Sequence, residues 1–244
     1  MNLNSVLSEK KITVRRLFKQ DIDDILKCYK KYDSLLFNPV DSTFICNVLL
    51  CGEFWGAYHG GQLIACCYFF PLESDFFKAG ASHDAITDFI AQPEKYMLMG
   101  YIGTNFDILS FDDKQYFEGK LNCANGLYTA FMNIVQSQTF RRGFKYIIHI
   151  LPVKTARNIK CIFDAGYSLI KMRGLEKLVP HYIFAKAVFP CEDIYRTDSE
   201  SEGVHAAFSD TKKVSALLES GYCCIDIDGN LPDLQAVCRK LIAD

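Results

Sequence analysis

Apolar residues recur along this chain with two spacings, one typical of strands and the other typical of helices. Residues 12–17 alternate apolar and polar side chains, as a half-buried strand does. Asp21 then precedes apolar positions at helical spacing. A second amphipathic helix begins at Asp41 or Ser42 and ends before Gly52. The chain is therefore predicted to open with a strand and two helices.

A hairpin and a buried strand are predicted next. Residues 53–59 and 62–70 are strand-like, and Gly60-Gly61 between them suits a turn that needs positive φ angles. Residues 97–104 are apolar almost throughout, as in a strand buried on both faces. Residues 105–120 are polar and aromatic without a clear period, which predicts a long irregular loop. Such loops are uncommon in compact domains and are often functional.

The second half continues with alternating helices and strands. Helices are predicted at 126–140 and 155–165, and strands at 144–151, 167–172 and 182–188. The element order is strand, two helices, three strands, helix, strand, helix and two strands. This order predicts a mixed α/β (α+β) domain built around one sheet.

The C-terminal region has a different composition at its start. Residues 191–203 are charged and rich in Ser, which predicts a linker between a main domain over 1–190 and an extension over 204–244. The extension is predicted as helix, strand and helix, at 209–220, 222–228 and from Asn230 to near Ile242. It is too small to bury its own core, so we expect it to pack on the main domain. No internal repeat is evident.

Charge and cysteine content narrow the class of protein. Lys and Arg number 27 against 29 Asp and Glu, so electrostatics do not favour nucleic acid or an anionic membrane as a partner. No apolar stretch has the length of a membrane helix and the first residues do not resemble a signal peptide, so a cytoplasmic location is expected. The eleven cysteines include no Cys-x-x-Cys pair, which favours reduced thiols and predicts no metal site.

Four segments together resemble the Gcn5-related N-acetyltransferase (GNAT) superfamily. They are the hairpin at 56–65, the helix ending in Arg141-Arg142-Gly143 before a strand, the Gly-Tyr ending of 158–167 and the strand at 181–186. The resemblance implies a central mixed, twisted sheet with helices on both faces, whose fourth and fifth strands splay apart. It also implies transfer of an acetyl or other acyl group from acyl-CoA to a primary amine.

The resemblance also implies a binding site for acetyl-CoA or another acyl-CoA. The family's diphosphate loop, Gln/Arg-x-x-Gly-x-Gly/Ala, falls on residues 121–126, with Leu121 and Ala124 replacing the usual first residue and first Gly. Main-chain N–H groups at the N-terminus of the following helix would hold the diphosphate. The predicted cofactor-binding residues are Tyr101, Ile102, Gly103, Thr104, Leu121, Asn122, Cys123, Ala124, Asn125, Gly126, Leu127 and Asn158.

The catalytic residues are less clear, because Ile162 occupies the position of the family's usual Tyr proton donor. His149, late in the fifth strand, is a candidate base, since imidazole titrates near neutrality. Tyr128 is a candidate proton donor, and Glu118 is a second candidate base. For each of them a structural interpretation stays open: a core histidine, core packing and a solvated carboxylate, respectively.

Several functions are compatible with these patterns. The first is an N-acyltransferase acting on a small-molecule or peptide amine. The second is a catalytically degenerate protein that binds acyl-CoA or a partner without turnover. The third is a structural domain whose C-terminal extension mediates formation of a homodimer.

Overall fold

The computed structural model describes residues 10–32, 39–80, 82–120, 126–153, 159–174, 180–188, 203–229 and 234–241. The first half contains β1 (Thr13–Leu17), α1 (Ile22–Tyr29), α2 (Ser42–Cys51), β2 (Glu53–His59), β3 (Gln62–Pro71), α3 (Asp75–Lys78), α4 (Ser82–Thr87), β4 (Tyr96–Met99) and β5 (Gly103–Thr104). The second half contains α5 (Phe111–Lys120), α6 (Leu127–Arg141), β6 (Tyr146–Pro152), α7 (Ile159–Asp164), β7 (Ser168–Arg173), β8 (His181–Ala187), β9 (Val204–Ala207), α8 (Thr211–Glu219), β10 (Tyr222–Asp228) and β11 (Gln235–Lys240).

All of these strands belong to one mixed sheet with helices on both faces. The strand order is β1-β2-β3-β4-β6-β8-β7-β10-β11-β9, and β5 pairs with β3. β4 and β6 are parallel, and the other pairs are antiparallel. Tyr29 of α1 and Phe44 of α2 contact the ring of Tyr68 on one face. Tyr128 of α6 contacts His149 on the opposite face. The predicted fold class is confirmed.

Local sequence signals account for the first elements. Gly60 and Gly61 have φ angles of 57° and 79°, so the β2–β3 hairpin has the turn that two glycines predict. The Asp41 carboxylate accepts the Phe44 N–H at 2.7 Å and caps α2. These elements form where predicted because each depends on contacts within a few residues.

The long loop predicted at 105–120 is wrong, because most of it is helical. A 3₁₀ turn at Phe106–Ile108 leads into α5, whose first turn carries Asp112 and Asp113. Ser110 Oγ accepts the Asp113 N–H at 3.3 Å, as a helix cap does. Phe117 is fully buried while most of its helical neighbours are exposed. One buried position gives no periodic pattern, so the sequence did not indicate a helix.

The C-terminal extension continues the main sheet. β10 pairs with β7 through Cys224↔Leu169, and β11 and β9 follow it. The last helix predicted there is wrong, since residues 235–240 form β11. Ala236 and Cys238 are buried and alternate with more exposed residues, which is the period of a strand. Of the predicted linker, only Gly203 lies within the described residues, so the domain boundaries stay a prediction.

A disulfide bond joins two neighbouring strands of the extension. Cys224 on β10 and Cys238 on β11 lie directly opposite each other in the register, and their sulfur atoms are bonded. The expectation that the cysteines are reduced is therefore wrong for this pair. Their separation along the sequence gave no hint of the pairing, because β11 was predicted as a helix.

No helix in the described parts of the chain combines the length and the apolar character needed to span a bilayer.

The backbone immediately after β4 lies against a buried aromatic ring. A Cβ added at Gly100 would overlap the ring of Tyr68, which is fully buried and has little room to move. We expect Gly100→Ala to lower the free energy of unfolding by about 1–3 kcal/mol. Gly174→Ala is the matched control, because open space surrounds Gly174.

Urea unfolding of both variants measures the difference. An unchanged stability for Gly100→Ala would show that the chain does not pass this close to the Tyr68 ring.

Candidate functional site

The central feature of the sheet is a fork between β4 and β6. The two strands run parallel from Tyr96↔Tyr146 to Met99↔His149, where their pairing ends. Beyond that point the chain stays beside β3, which also pairs with β4: the Gly100 N–H bonds to Tyr68 O at 3.0 Å, and β5 pairs with β3. β6 continues to Pro152 beside β8. We define the fork as the wedge between residues 100–104 and 150–152. The predicted splay between the two strands is confirmed.

Two tyrosine hydroxyls hold the β3 side of the fork in place. Tyr29 Oη donates to Tyr101 O at 2.8 Å, and Tyr32 Oη lies 2.6 Å from Thr104 Oγ1. The rings of Tyr32 and Tyr101 also meet edge to face, with centroids 4.8 Å apart. Residues 101–104, predicted from the family resemblance to bind cofactor, thus form a supported arm. The roles of Tyr29 and Tyr32 were missed, because apolar spacing predicts burial of a ring but not the partner of its hydroxyl.

His149 lies at the vertex of the fork and links three elements. Its Nδ1 lies 3.1 Å from Met99 O, the last paired residue of β4, and its Nε2 lies 2.5 Å from Tyr128 Oη. A carbonyl oxygen only accepts hydrogen bonds, so Nδ1 carries the proton and Nε2 accepts from the Tyr128 hydroxyl. The imidazole therefore ties the end of β4 and the middle of β6 to the first turn of α6.

Burial keeps this pair uncharged. Desolvation lowers the pKa of His149 to about 4, although the hydrogen bond with Met99 opposes the shift. Desolvation also holds the pKa of the Tyr128 phenol well above its ordinary value. Tyr167 completes the cluster: its ring centroid lies 6.3 Å from that of His149. The buried Tyr167 hydroxyl has no hydrogen-bond partner among the described residues.

The N-terminus of α6 lies beside the vertex because Tyr128 is in its first turn. Gly126 is the N-cap with an extended backbone, and within the described residues no side chain caps the helix. No acidic side chain lies in the first turn. The N–H groups of this turn and the helix dipole therefore suit an anion such as a diphosphate. Gly126 and Leu127, which are predicted to bind acyl-CoA, lie at this N-terminus. The other residues predicted there, Leu121, Asn122, Cys123, Ala124, Asn125 and Asn158, lie outside the described residues.

The structure brings together some of the predicted catalytic residues but not all. Tyr128 and His149 share a hydrogen bond. Glu118 lies on α5 with its side chain exposed, and no contact found in the described residues brings it to the fork. Ile162 is fully buried on α7, and its alkyl side chain offers no proton.

An open groove lies next to the end of the arm at Thr104. It has a volume of about 530 Å³ and is lined by Lys27, Lys30, Thr104, Asn105, Asp107 and Ile108. Lys27 pairs with Asp24 at 2.8 Å. Among the described residues Lys30 forms no ion pair, so its positive charge is available to a ligand. No group of three or more His, Cys, Asp or Glu side chains in the described ranges is arranged to hold a metal ion.

Comparison with solved structures identifies the fold. A putative acetyltransferase, yncA from Salmonella typhimurium, solved with its cofactor acetyl-CoA, matches at a TM-score of 0.51 with 12% identity over 77% of this chain and 98% of its own. FeeM, an N-acyl amino acid synthase from uncultured soil microbes, matches at 0.50 with 10% identity over 72% and 90%. The GNAT domain of S. lividans PAT matches at 0.46 with 14% identity over 71% and 89%. No family model and no curated protein matches the sequence.

The chain therefore has the fold of the Gcn5-related N-acetyltransferases. Because the sequence identities are this low, the structural similarity shows the fold and does not show the activity.

The buried imidazole at the vertex predicts a specific dependence of stability on pH. The pKa of His149 is about 4 in the folded protein against an ordinary value of 6.5. Between these values the unfolded chain binds a proton that the folded chain does not. The free energy of unfolding should therefore fall as the pH drops from 6.5 to 4, by roughly 3 kcal/mol in total, and this contribution should level off below pH 4.

Urea unfolding between pH 4 and 8 tests this expectation. His149→Gln should be less stable at pH 7. Between pH 4 and 6.5, the slope of its unfolding free energy against pH should correspond to about one proton fewer than in the wild type. Tyr128→Phe is the matched control, since it removes the hydroxyl and leaves the imidazole, so the dependence should persist. An identical pH dependence in wild type and His149→Gln would contradict the assignment.

Proposed function

We propose that this protein is an acyl-CoA-dependent N-acyltransferase that transfers an acetyl or other short acyl group to a primary amine. The fork between residues 100–104 and 150–152, with the N-terminus of α6 at its vertex, is the observation that supports this most directly. A strand that loses its neighbour partway along offers backbone groups to an extended ligand, as an added strand would use them. The helix N-terminus offers a site for the diphosphate at one end of that ligand.

In this proposal each part of acyl-CoA has its own binding element. The N–H groups near Gly126 and Leu127, together with the predicted loop residues 121–125 and Asn158, hold the diphosphate. The pantetheine arm follows residues 101–104, and the thioester lies near the vertex. The amine enters from the groove beside Thr104.

The reaction needs positioning more than covalent help from the protein. The amine nitrogen attacks the thioester carbonyl, a C–N bond forms and the C–S bond breaks. The thiolate takes a proton from the site, and the proton that the amine nitrogen loses returns to the site through water, so no net proton is consumed. Holding both reactants in the fork supplies much of the rate, and backbone N–H groups of the arm stabilise the negative charge on the carbonyl oxygen.

We propose Tyr128 as the proton donor in place of the tyrosine that Ile162 replaces. Its phenol is protonated at physiological pH, and burial raises its pKa further. The hydroxyl would turn from His149 Nε2 to the thiolate. His149 acts as a positioning residue, since its own proton stays on Nδ1 with Met99 O.

Turnover and binding by a Tyr128→Phe variant test this assignment. We expect kcat to fall by about 10²–10⁴-fold, the usual contribution of general acid catalysis, while the Kd for acetyl-CoA from calorimetry changes little. Tyr222→Phe, in the extension, is the matched control and should keep the wild-type kcat. Release of CoA should be followed by chromatography, because the chain's eleven cysteines would react with thiol reagents.

The alternative function is acyl-CoA binding without turnover. The fully buried, apolar Ile162 favours it, as do Leu121 and Ala124 in the diphosphate loop. Heat on addition of acetyl-CoA with no CoA release for any amine in a broad panel would support this alternative. Absence of binding by CoA and all its thioesters would contradict both functions.

The groove suggests the chemical class of the acceptor. Lys30, which forms no ion pair with the residues that the structure describes, places a positive charge beside Thr104, at the end of the arm where the amine would enter. A carboxylate on the acceptor would be attracted to this ammonium group. We therefore propose an amine that also carries a carboxylate, such as an amino acid. The name of FeeM, an N-acyl amino acid synthase, is consistent with such an acceptor on this fold.

Lys30→Gln tests the proposed acceptor class. The variant should raise the KM for an amino acid by about tenfold, corresponding to one lost charge-assisted hydrogen bond. The KM for the matching amino acid amide, which lacks the carboxylate, should not change. Lys19→Gln is a matched control on an exposed lysine outside the groove. Equal effects of Lys30→Gln on acid and amide would contradict the proposal.

A further inference from the structure

The C-terminal extension has the same topology as the part of the main domain that follows the fork. In the main domain the order along the chain is β6, α7, β7, β8, and the strands lie in the sheet as β6-β8-β7. In the extension the order is β9, α8, β10, β11, and the strands lie as β9-β11-β10. Both units are therefore strand, helix, strand and strand with the same arrangement.

The strand registers of the two units also match residue by residue. Each residue pair of β9 with β11 has an equivalent pair of β6 with β8. The β9 residue number is 55 higher than that of its equivalent in β6, and the β11 residue number is 54 higher than that of its equivalent in β8. The matching pairs at the two ends are Pro152↔His181 with Ala207↔Gln235, and His149↔Phe184 with Val204↔Cys238. With 55 added to the numbers of β7, the same offset for β8 also converts the pairing of β7 with β8 into that of β10 with β11.

Irregular features of the two units coincide as well. The register of β7 shifts between Leu169 and Lys171, and that of β10 shifts between Cys224 and Asp226, in each case 55 residues later. The glycines that end the helices, Gly166 and Gly221, are also 55 residues apart and have φ angles of 82° and 83°. Each glycine is followed by Tyr, and the residue that the register shift leaves unpaired is Ile in both units, Ile170 and Ile225. Such sparse identity explains why the sequence shows no repeat.

The two units are related by an approximate two-fold axis. β7 and β10 pair antiparallel through Leu169↔Cys224, and these two residues occupy equivalent positions in the two units. An antiparallel pair of equivalent residues is the geometry of a symmetric, isologous interface. The helices obey the same symmetry, since α7 packs against β10 and α8 packs against β7.

We propose that the extension is a built-in dimerisation partner, which occupies the β7 edge in place of a second copy of the chain. The surface consists of the β7 edge and the flank of α7, and its partner is a copy of the same strand–helix–strand–strand unit. Phe208 of the extension packs against Phe163 and Tyr182, and the Tyr182 hydroxyl donates to Phe208 O at 3.2 Å. Without the extension these two rings would be uncovered beside an open strand edge, which invites pairing between chains.

The length of the connection allows the extension to dock on its own chain. Phe184, Leu169, Cys224, Cys238 and Val204 form one row across five adjacent strands. Four strand spacings separate β8 from β9, which is about 19 Å. The 16 residues between Ala187 and Val204 exceed this distance easily when extended.

A deletion of residues 189–202 tests the proposal in the otherwise intact chain. Only Val188 and Gly203 then connect β8 to β9, and their reach of about 11 Å is too short for docking in cis. The β7 edge must then pair with the extension or with the β7 edge of a second chain. We expect the mass in analytical ultracentrifugation to be twice that of the full-length protein. Replacing 189–202 by fourteen Gly and Ser residues is the matched control and should leave the mass unchanged.

A disulfide cross-link provides a second measurement that does not depend on the deletion. In the full-length chain, Leu169→Cys combined with Cys238→Ser places two thiols directly opposite each other, at positions 169 and 224. On oxidation, peptide mapping should find this bond within single chains. A bond between two chains, no bond at all, or a deletion variant with the mass of the full-length protein would each overturn the proposal.

Discussion

The hydrogen bonds of His149 connect the two properties on which the proposed site depends. The strands must be paired up to Met99 and separate beyond it, and the first turn of α6 must be beside the point of separation. One imidazole meets both requirements, since Nδ1 contacts Met99 O and Nε2 contacts the Tyr128 hydroxyl. Because the ring is fully buried and uncharged, it can do so without an ion pair, whose desolvation would be costly at this depth.

The shape of the rest of the fork depends on which neighbouring strand each side keeps beyond the vertex. Residues beyond Met99 lose β6 but keep β3, which also pairs with β4, and Tyr29 holds them there through the carbonyl of Tyr101. β6 keeps β8 on its other side, so it loses only one neighbour. A mixed sheet can therefore open locally while its core remains continuous on both sides of the opening.

The sequence predicts the fold well where the determining contacts are local. The Gly60-Gly61 turn, the Asp41 cap and the period of α6 depend on neighbouring residues and are read directly. Prediction fails at α5, where Phe117 alone is buried, and at β11, where a six-residue strand is defined by partners far away in sequence. The candidate site is only half predictable: the sequence indicates His149 and Tyr128, but their mutual bond depends on the packing of α6 against β6. The roles of Tyr29, Tyr32 and Lys30 depend likewise on tertiary contacts.

The addition of the extension also changes where the sheet ends. Without it the last strand would be β7, which has six residues, whereas the described sheet ends at β9, which has four. The opposite border is β1, which carries Arg15 and Arg16. Short and cationic borders offer poor templates for further strands, so this architecture limits the aggregation to which a sheet of this width is otherwise prone.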